Sequence, residues 1–217
     1  AEEQATEESD LVHGGGRGPE RESVVLIDTH CHLDLPEFDA DRDAVVAAAH
    51  GTGVVAMITV GTDMVSSRRA VELAERYPGV YAAVGIHPLS AEEAIRPRAV
   101  AELAQLATHP RVVAIGEIGL DYSRSQVPPR TQRQALQAML DLATGLNLPV
   151  IVHNRDATAD LWEQLVGAGG PRVRGVLHCF SDDAHWALRF AQMGFYIGLD
   201  GPVTFKNGER AREVART

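Results

Sequence analysis

Val24-Val25-Leu26-Ile27-Asp28-Thr29-His30-Cys31-His32-Leu33-Asp34 is the stretch whose reading decides the fold. It opens as an apolar run, Val24–Asp28, then turns polar without the glycine-rich turn that follows the first strand of an open nucleotide-binding sheet. The pattern recurs outward from it. Runs at Val54–Val60, Val80–Gly85, Arg111–Gly116, Pro149–Val152, Gly175–His178 and Phe195–Leu199 show no apolar/polar alternation, as strands covered on both faces do not. Segments with helical spacing follow them at 41–50, 63–77, 98–108, 129–145, 157–168, 182–193 and 207–217. Pro128-Pro129 suits the first turn of the fourth helix and Gly145 its end. Strands alternating with helices imply an α/β fold with a parallel sheet. Polar residues return at the ends of several runs, which points to a TIM (β/α)8 barrel, whose site gathers at the strand C-termini. Seven units are countable, so the eighth β/α unit is expected to be missing from this chain.

Composition narrows the function classes. The 217 residues carry a net charge of −10 and two cysteines. Two cysteines cannot staple a chain of this size, which excludes a disulfide-built fold. The longest apolar stretch, Val54–Val60, falls far short of the roughly 18 residues a membrane span needs. The opening AEEQATEESD is acidic where a targeting sequence would be basic and then apolar. Residues 1–22 hold seven acids and two arginines, half of the net charge. With the Gly14-Gly15-Gly16 run they read as a disordered acidic, glycine-rich extension, and residues 23–217 as one domain. No strand precedes GGGRG and no Lys-Ser/Thr follows it, so it is not a phosphate loop. The acidic balance argues against a broad basic nucleic-acid surface. It leaves room for nucleic acid held at a metal site, where cations supply the positive charge. The expected setting is cytoplasmic, with both thiols reduced and no obligate protein partner.

The chemistry-bearing residues lie at the strand ends. His30 and His32 are two apart, so both imidazoles can face one metal while Cys31 turns away. Glu117 follows a largely apolar run and would be costly to bury unpaired. The fifth run leads into His153 and the sixth ends at His178. Each histidine alone could be a core residue satisfied by a carbonyl. Together, four histidines and a glutamate from four strand ends converge on one barrel mouth and suit zinc or a transition metal. Five ligands are too many for one tetrahedral zinc that keeps a free position. They suit two divalent metals about 3.5–4 Å apart with a bridging carboxylate, leaving the identity open among magnesium, manganese and zinc. Cys179 follows His178, and alternation is expected to turn it, like Cys31, toward the helix layer as packing. Trp162 and Trp186 read as core or surface anchors, and Lys206, the chain's only lysine, as a solvated loop residue.

Six segments carry a family resemblance: Asp-Thr-His-Cys-His-Leu-Asp (28–34), Gly-Ile-His-Pro (85–88), Gly-Glu-Ile-Gly-Leu-Asp-Tyr (116–122), His-Asn-Arg-Asp-Ala (153–157), His-Cys-Phe-Ser (178–181) and Gly-Pro-Val-Thr-Phe-Lys-Asn (201–207). In this order, and nearly throughout residues 23–217, they resemble the TatD family of metal-dependent deoxyribonucleases, barrel proteins of the amidohydrolase-like group. The resemblance implies that His30, His32 and Glu117 hold one metal. Glu117 would bridge to a second metal, held with His153 and His178, and would be the catalytic carboxylate. His87 and Arg155 would grip a substrate phosphate, although His87 is equally read as a turn residue before Pro88. Asp121 would orient a ligand histidine, with a surface salt bridge as the competing reading.

One family element is absent from the sequence. TatD-like proteins end their eighth strand with an aspartate that binds the first metal, and the six motifs stop before it. Asp200 ends the seventh run, where the family pattern puts no ligand, so it is not expected to take that part. Three readings follow: a C-terminally incomplete TatD-like nuclease acting on DNA, single-stranded or at ends; a sibling hydrolase of an amide, ester or lactone; and a truncated, inactive form. The first is preferred.

Overall fold

The computed structural model describes residues 25–96 and 98–217; the expected disordered extension at 1–22 lies outside them. Seven strands, β1 (Leu26–Cys31), β2 (Val54–Val60), β3 (Val80–Val84), β4 (Val112–Asp121), β5 (Val150–Arg155), β6 (Gly175–Leu177) and β7 (Phe195–Ile197), stand side by side in chain order. Every neighbouring pair is parallel. The helices are α1 (Arg42–Gly51), α2 (Met64–Arg76), α3 (Ala91–Ala94), α4 (Ala99–Leu106), α5 (Pro129–Leu146), α6 (Thr158–Gly167), α7 (Ala184–Met193) and α8 (Glu209–Arg216). Strictly sequential parallel order with helical crossovers is the wall of a TIM barrel. Among the described residues that wall has seven strands, with β1 and β7 at its edges. No helix among them is long and apolar enough to cross a membrane.

The core has two parts. The larger lies between sheet and helices, where Leu73, Leu103, Met139, Leu140, Leu161 and Phe190 are fully buried. The smaller lines the inner face with Val60, Ala83, Ala114 and Ile151, flanked by Ile58 and Val176. Where the edge strands stand apart, this inner face opens into an apolar cleft of about 360 Å³ between Thr29 of β1 and Tyr196 of β7.

The elements depart from the sequence reading where backbone pairing outlasts the apolar run. β4 and β5 stay paired through Ile118–Val152, Gly119–His153, Leu120–Asn154 and Asp121–Arg155. Glu117 and His153 therefore sit within strands rather than beyond their ends. A parallel ladder needs only backbone groups, so the onset of polar side chains does not end it. β1 likewise runs on to Cys31. Pro129 opens α5 as expected, but the helix passes Gly145 and is closed by Asn147 in the left-handed region at φ 55°. Asparagine tolerates that conformation better than most residues. The single-turn helix α3 was not foreseen; Pro88 starts the turn that precedes it.

Gly119 fixes the β4–β5 spacing. Its φ is 146°, and a Cβ there would lie 1.9 Å from the His153 carbonyl oxygen. Gly119→Ala is expected to destabilise the fold by about 2–3 kcal/mol through strain and overpacking. Gly145→Ala, at a helical position with nothing within 4 Å of the added carbon, is expected to stabilise it by roughly 0.5–1 kcal/mol. Urea denaturation of the two variants checks both signs.

Candidate metal centre

Side chains from six strands meet at one end of the wall. His30 lies on β1 and His32 just after it; Glu117 and Asp121 lie on β4; His153 and Arg155 lie on β5. His87, His178 and Asp200 follow β3, β6 and β7. The turn behind the first histidines is clamped from beneath. Arg42 of α1 is buried and donates to the carbonyls of Leu33 at 2.5 Å and Leu35 at 3.0 Å and to Asp39 at 2.7 Å. The Leu33 amide donates to Thr59 Oγ1 on β2 at 3.2 Å.

Glu117 is the hub. Its Oε1 lies 2.9 Å from His153 Nδ1 and 3.8 Å from His87 Nε2, and its Oε2 lies 3.4 Å from His30 Nε2. His32 Nδ1 donates to the Val60 carbonyl at 3.1 Å, which turns Nε2 toward His30 Nε2, also at 3.1 Å. The His178 ring stacks on His30 with centroids 3.4 Å apart and planes 8° from parallel. His153 Nε2 meets Asp121 Oδ2 at 3.1 Å. The Asp121 carboxylate also accepts from the amides of Ser123 at 3.0 Å and Arg124 at 2.6 Å.

Burial opposes ionisation of Glu117, but hydrogen bonds from His153 and His30 outweigh it and hold the carboxyl well below the ordinary range. Asp121 behaves alike: burial raises it, and the Arg124 amide with His153 and Ser123 brings it below its usual value. His87 is pushed down to about 4, chiefly by burial, with Glu117 opposing. The Leu89 amide donates to His87 Nδ1 at 3.1 Å, so this neutral ring carries its proton on Nε2, facing the hub. Burial, reinforced by His30, also lowers His178.

The five expected ligands thus fall into one cluster, but not in the expected pairs. Ligand atoms of His30, Glu117 and His178 lie within 4.8 Å of one another, and so do those of His87, Glu117 and His153. His178 stands beside His30 rather than His153, and His87, expected as a phosphate contact, joins the second group. Arg155 sits at the end of β5, and its side chain makes no hydrogen bond or ion pair among the described residues. Asp121 is buried against His153, not in a surface salt bridge.

One expectation is corrected. Cys179 does not follow strand alternation: β6 ends at Leu177, and Cys179 adopts φ 47°. Its thiol comes within 4.8 Å of ligand atoms of His178 and Asp200 instead of entering the helix layer. Asp200, which ends the seventh run, lies at the mouth, with Oδ2 3.1 Å from His178 Nδ1. The signal for it was in the sequence, a polar residue ending an apolar run, as at His178. Cys31 packs as expected, its thiol donating to the Ile58 carbonyl at 3.3 Å.

The residues fit a cation. His153 lies between two carboxylates that both accept, whereas a neutral imidazole has one N–H to give. His30 Nδ1 is buried without a partner while Nε2 faces both His32 and Glu117. Nitrogen and carboxylate donors crowded this closely satisfy one another best around a divalent metal.

A parallel barrel wall with such a mouth defines a metal-dependent hydrolase, and this chain belongs to the TatD family. The family described as TatD related DNase matches residues 27–217. The chain is 39% identical over 192 residues to the uncharacterized metal-dependent hydrolase YabD of Bacillus subtilis, covering 88% of this chain and 75% of that protein. It is 36% identical over 185 residues to a 3'-5' ssDNA/RNA exonuclease TatD of Salmonella typhimurium, covering 82% of this chain and 68% of the relative. The crystal structure of the Escherichia coli TatD homologue YjjV superposes with a TM-score of 0.80 at 37% identity, over 87% of this chain and 73% of that one.

Burial, aided by Asp28, pushes the Cys31 thiol up to about 12, and burial with Asp200 raises Cys179. Both thiols are therefore protonated at pH 8. Disulfide-exchange labelling at that pH is expected to run at least about tenfold slower in the folded protein than in urea, because the thiolate is the reacting form.

Proposed function

We propose that the mouth holds two divalent cations, magnesium, manganese or zinc, and hydrolyses phosphodiester bonds of DNA, single-stranded or at ends. The observation that carries this reading is that Glu117 belongs to both ligand groups, the position of a bridging carboxylate. His30 and His32 would hold one ion with Glu117, and His153 and His178 the other; the assignment of His178 follows the family pattern, since its ring stacks on His30. A pair of such ions supplies an activated water and stabilises charge on both the attacking and leaving oxygens.

The chain's own residues do the rest. Glu117 stays ionised at neutral pH and so offers an oxygen to each side. Asp121 accepts from His153 Nε2 and sets that ring with Nδ1 toward Glu117. His87 presents Nε2–H as a neutral donor for a phosphate oxygen, and Arg155 brings a guanidinium suited to bidentate grip. The net charge of −10 favours recognition of a polyanion through bound cations rather than through a basic surface. The exonuclease name of the Salmonella relative supports the substrate class. Two free cysteines suit a cytoplasmic setting.

Nucleotide release from single-stranded DNA with each metal tests the proposal. Glu117→Gln is expected to lower kcat/KM by about 10²-fold or more. Arg155→Met is expected to act mainly on KM, as removal of uniform binding does. Cleavage of esters or lactones but not DNA by the metal-loaded protein would overturn the assignment. A saturating divalent metal is expected to raise Tm, as any ligand of the native state does; calorimetry should show the rise reversed by chelator and reduced in Glu117→Gln.

A further inference from the structure

A second cluster of metal-ligating groups stands at the rim of the mouth, beside the Glu117 hub. His178 and Cys179 follow β6 and Asp200 follows β7; ligand atoms of all three lie within 4.8 Å of one another. The Asp200 carboxylate is not spent on the turn that carries it. It stands at the N-cap of the 3-10 turn Gly201–Thr204 but makes no cap bond there. Asp63 and Asp183, at the N-caps of α2 and α7, do accept backbone amides, from Ser66 and Trp186. Asp200 Oδ2 comes 3.1 Å from His178 Nδ1 without the alignment of a hydrogen bond, so no bond between the two explains the approach. Cys179 reaches the same place through a backbone at φ 47°, a left-handed conformation uncommon for cysteine. The His178 and Asp200 side chains are 19% and 38% exposed, which leaves the cluster open to an ion from solvent.

We propose that His178, Cys179 and Asp200 form a cation site of their own, one that takes a thiophilic divalent ion, zinc above all, rather than magnesium. Imidazole, thiolate and carboxylate are a zinc donor set, and three protein donors leave a fourth position for water. Tetrahedral zinc bonds of about 2.0–2.3 Å place ligand atoms about 3–4 Å apart, a small contraction of a set that already fits within 4.8 Å. Zinc displaces the thiol proton to solvent, since the thiolate is the ligand. Magnesium keeps to oxygen donors and gains nothing from sulfur. His178 belongs to two sets, because its ring also groups with His30 and Glu117. Zinc at the rim therefore draws His178 from the hub and inhibits hydrolysis supported by magnesium or manganese. That inhibition rests on the phosphodiesterase reading; the site itself does not.

Cobalt, a spectroscopic stand-in for zinc, reads the site in the metal-free full chain without DNA. Wild type and Glu117→Gln are expected to show a thiolate-to-cobalt charge-transfer band that zinc abolishes and magnesium does not. Cys179→Ser is expected to lose the band, and Cys31→Ser, the control for the other thiol, to keep it. Asp200→Ala is expected to need at least about tenfold more cobalt, the least that even an outer partner of a ligand is worth. In DNA cleavage with magnesium, zinc inhibition of the wild type is expected to be lost in Cys179→Ser, whose rate without zinc is unchanged. No band in the wild type, or one that survives in Cys179→Ser, would overturn the site. Equal zinc inhibition of the two proteins would overturn the competition for His178. DNA left uncut by every variant would overturn the phosphodiesterase reading, while the cobalt band still decides the site.

Discussion

The mouth of this barrel is organised around one buried negative charge. A carboxylate withdrawn from water is stable only with close, well-directed partners, and Glu117 sits inside β4 with almost no solvent. Its partners are imidazoles from three other parts of the sheet: His153 at 2.9 Å, His30 at 3.4 Å and His87 at 3.8 Å. Two of these rings are aligned from behind, His153 by Asp121 and His87 by the Leu89 amide, and His32 beside His30 is held by the Val60 carbonyl. Removing the charge would strand this whole arrangement, whereas removing one histidine would leave the others in place.

The outer core makes such a concentration of polar groups tolerable. Helix–sheet packing buries the large side chains away from the mouth, so the barrel does not rely on its interior for most of its apolar contact. The inner layer of Val60, Ala83, Ala114 and Ile151 is small and acts as a floor beneath the histidines. The two-strand approach at Gly119 against His153 leaves no room for a side chain. The stability of the scaffold and the chemistry of its mouth are thereby carried by largely separate residues.

Much of this was legible in the sequence. Seven apolar runs without alternation gave the parallel sheet, and the same runs marked where polar side chains would gather. His30, His32, Glu117, His153 and His178 could be grouped because strand order alone brings strand ends together. What could not be read was the way each ring faces. That depends on partners distant in sequence: His153 on Asp121, and the first histidine turn on Arg42, whose buried clamp looks like an ordinary helical surface charge in the sequence. Cys179 was misplaced because the alternation rule was carried two residues past the end of β6, into a left-handed turn that no glycine or asparagine announced.

The stacked rings of His30 and His178 join the first strand to the sixth, across the side where the described wall has no backbone ladder. Contacts that close so long a loop form late, because chain entropy must be overcome before they return anything. The histidine cluster at the mouth is thus expected to close after the adjacent strand pairs, and a cation that engaged it would select chains whose sheet is already curled. In this architecture cation uptake would be a checkpoint on the finished fold rather than a seed for it.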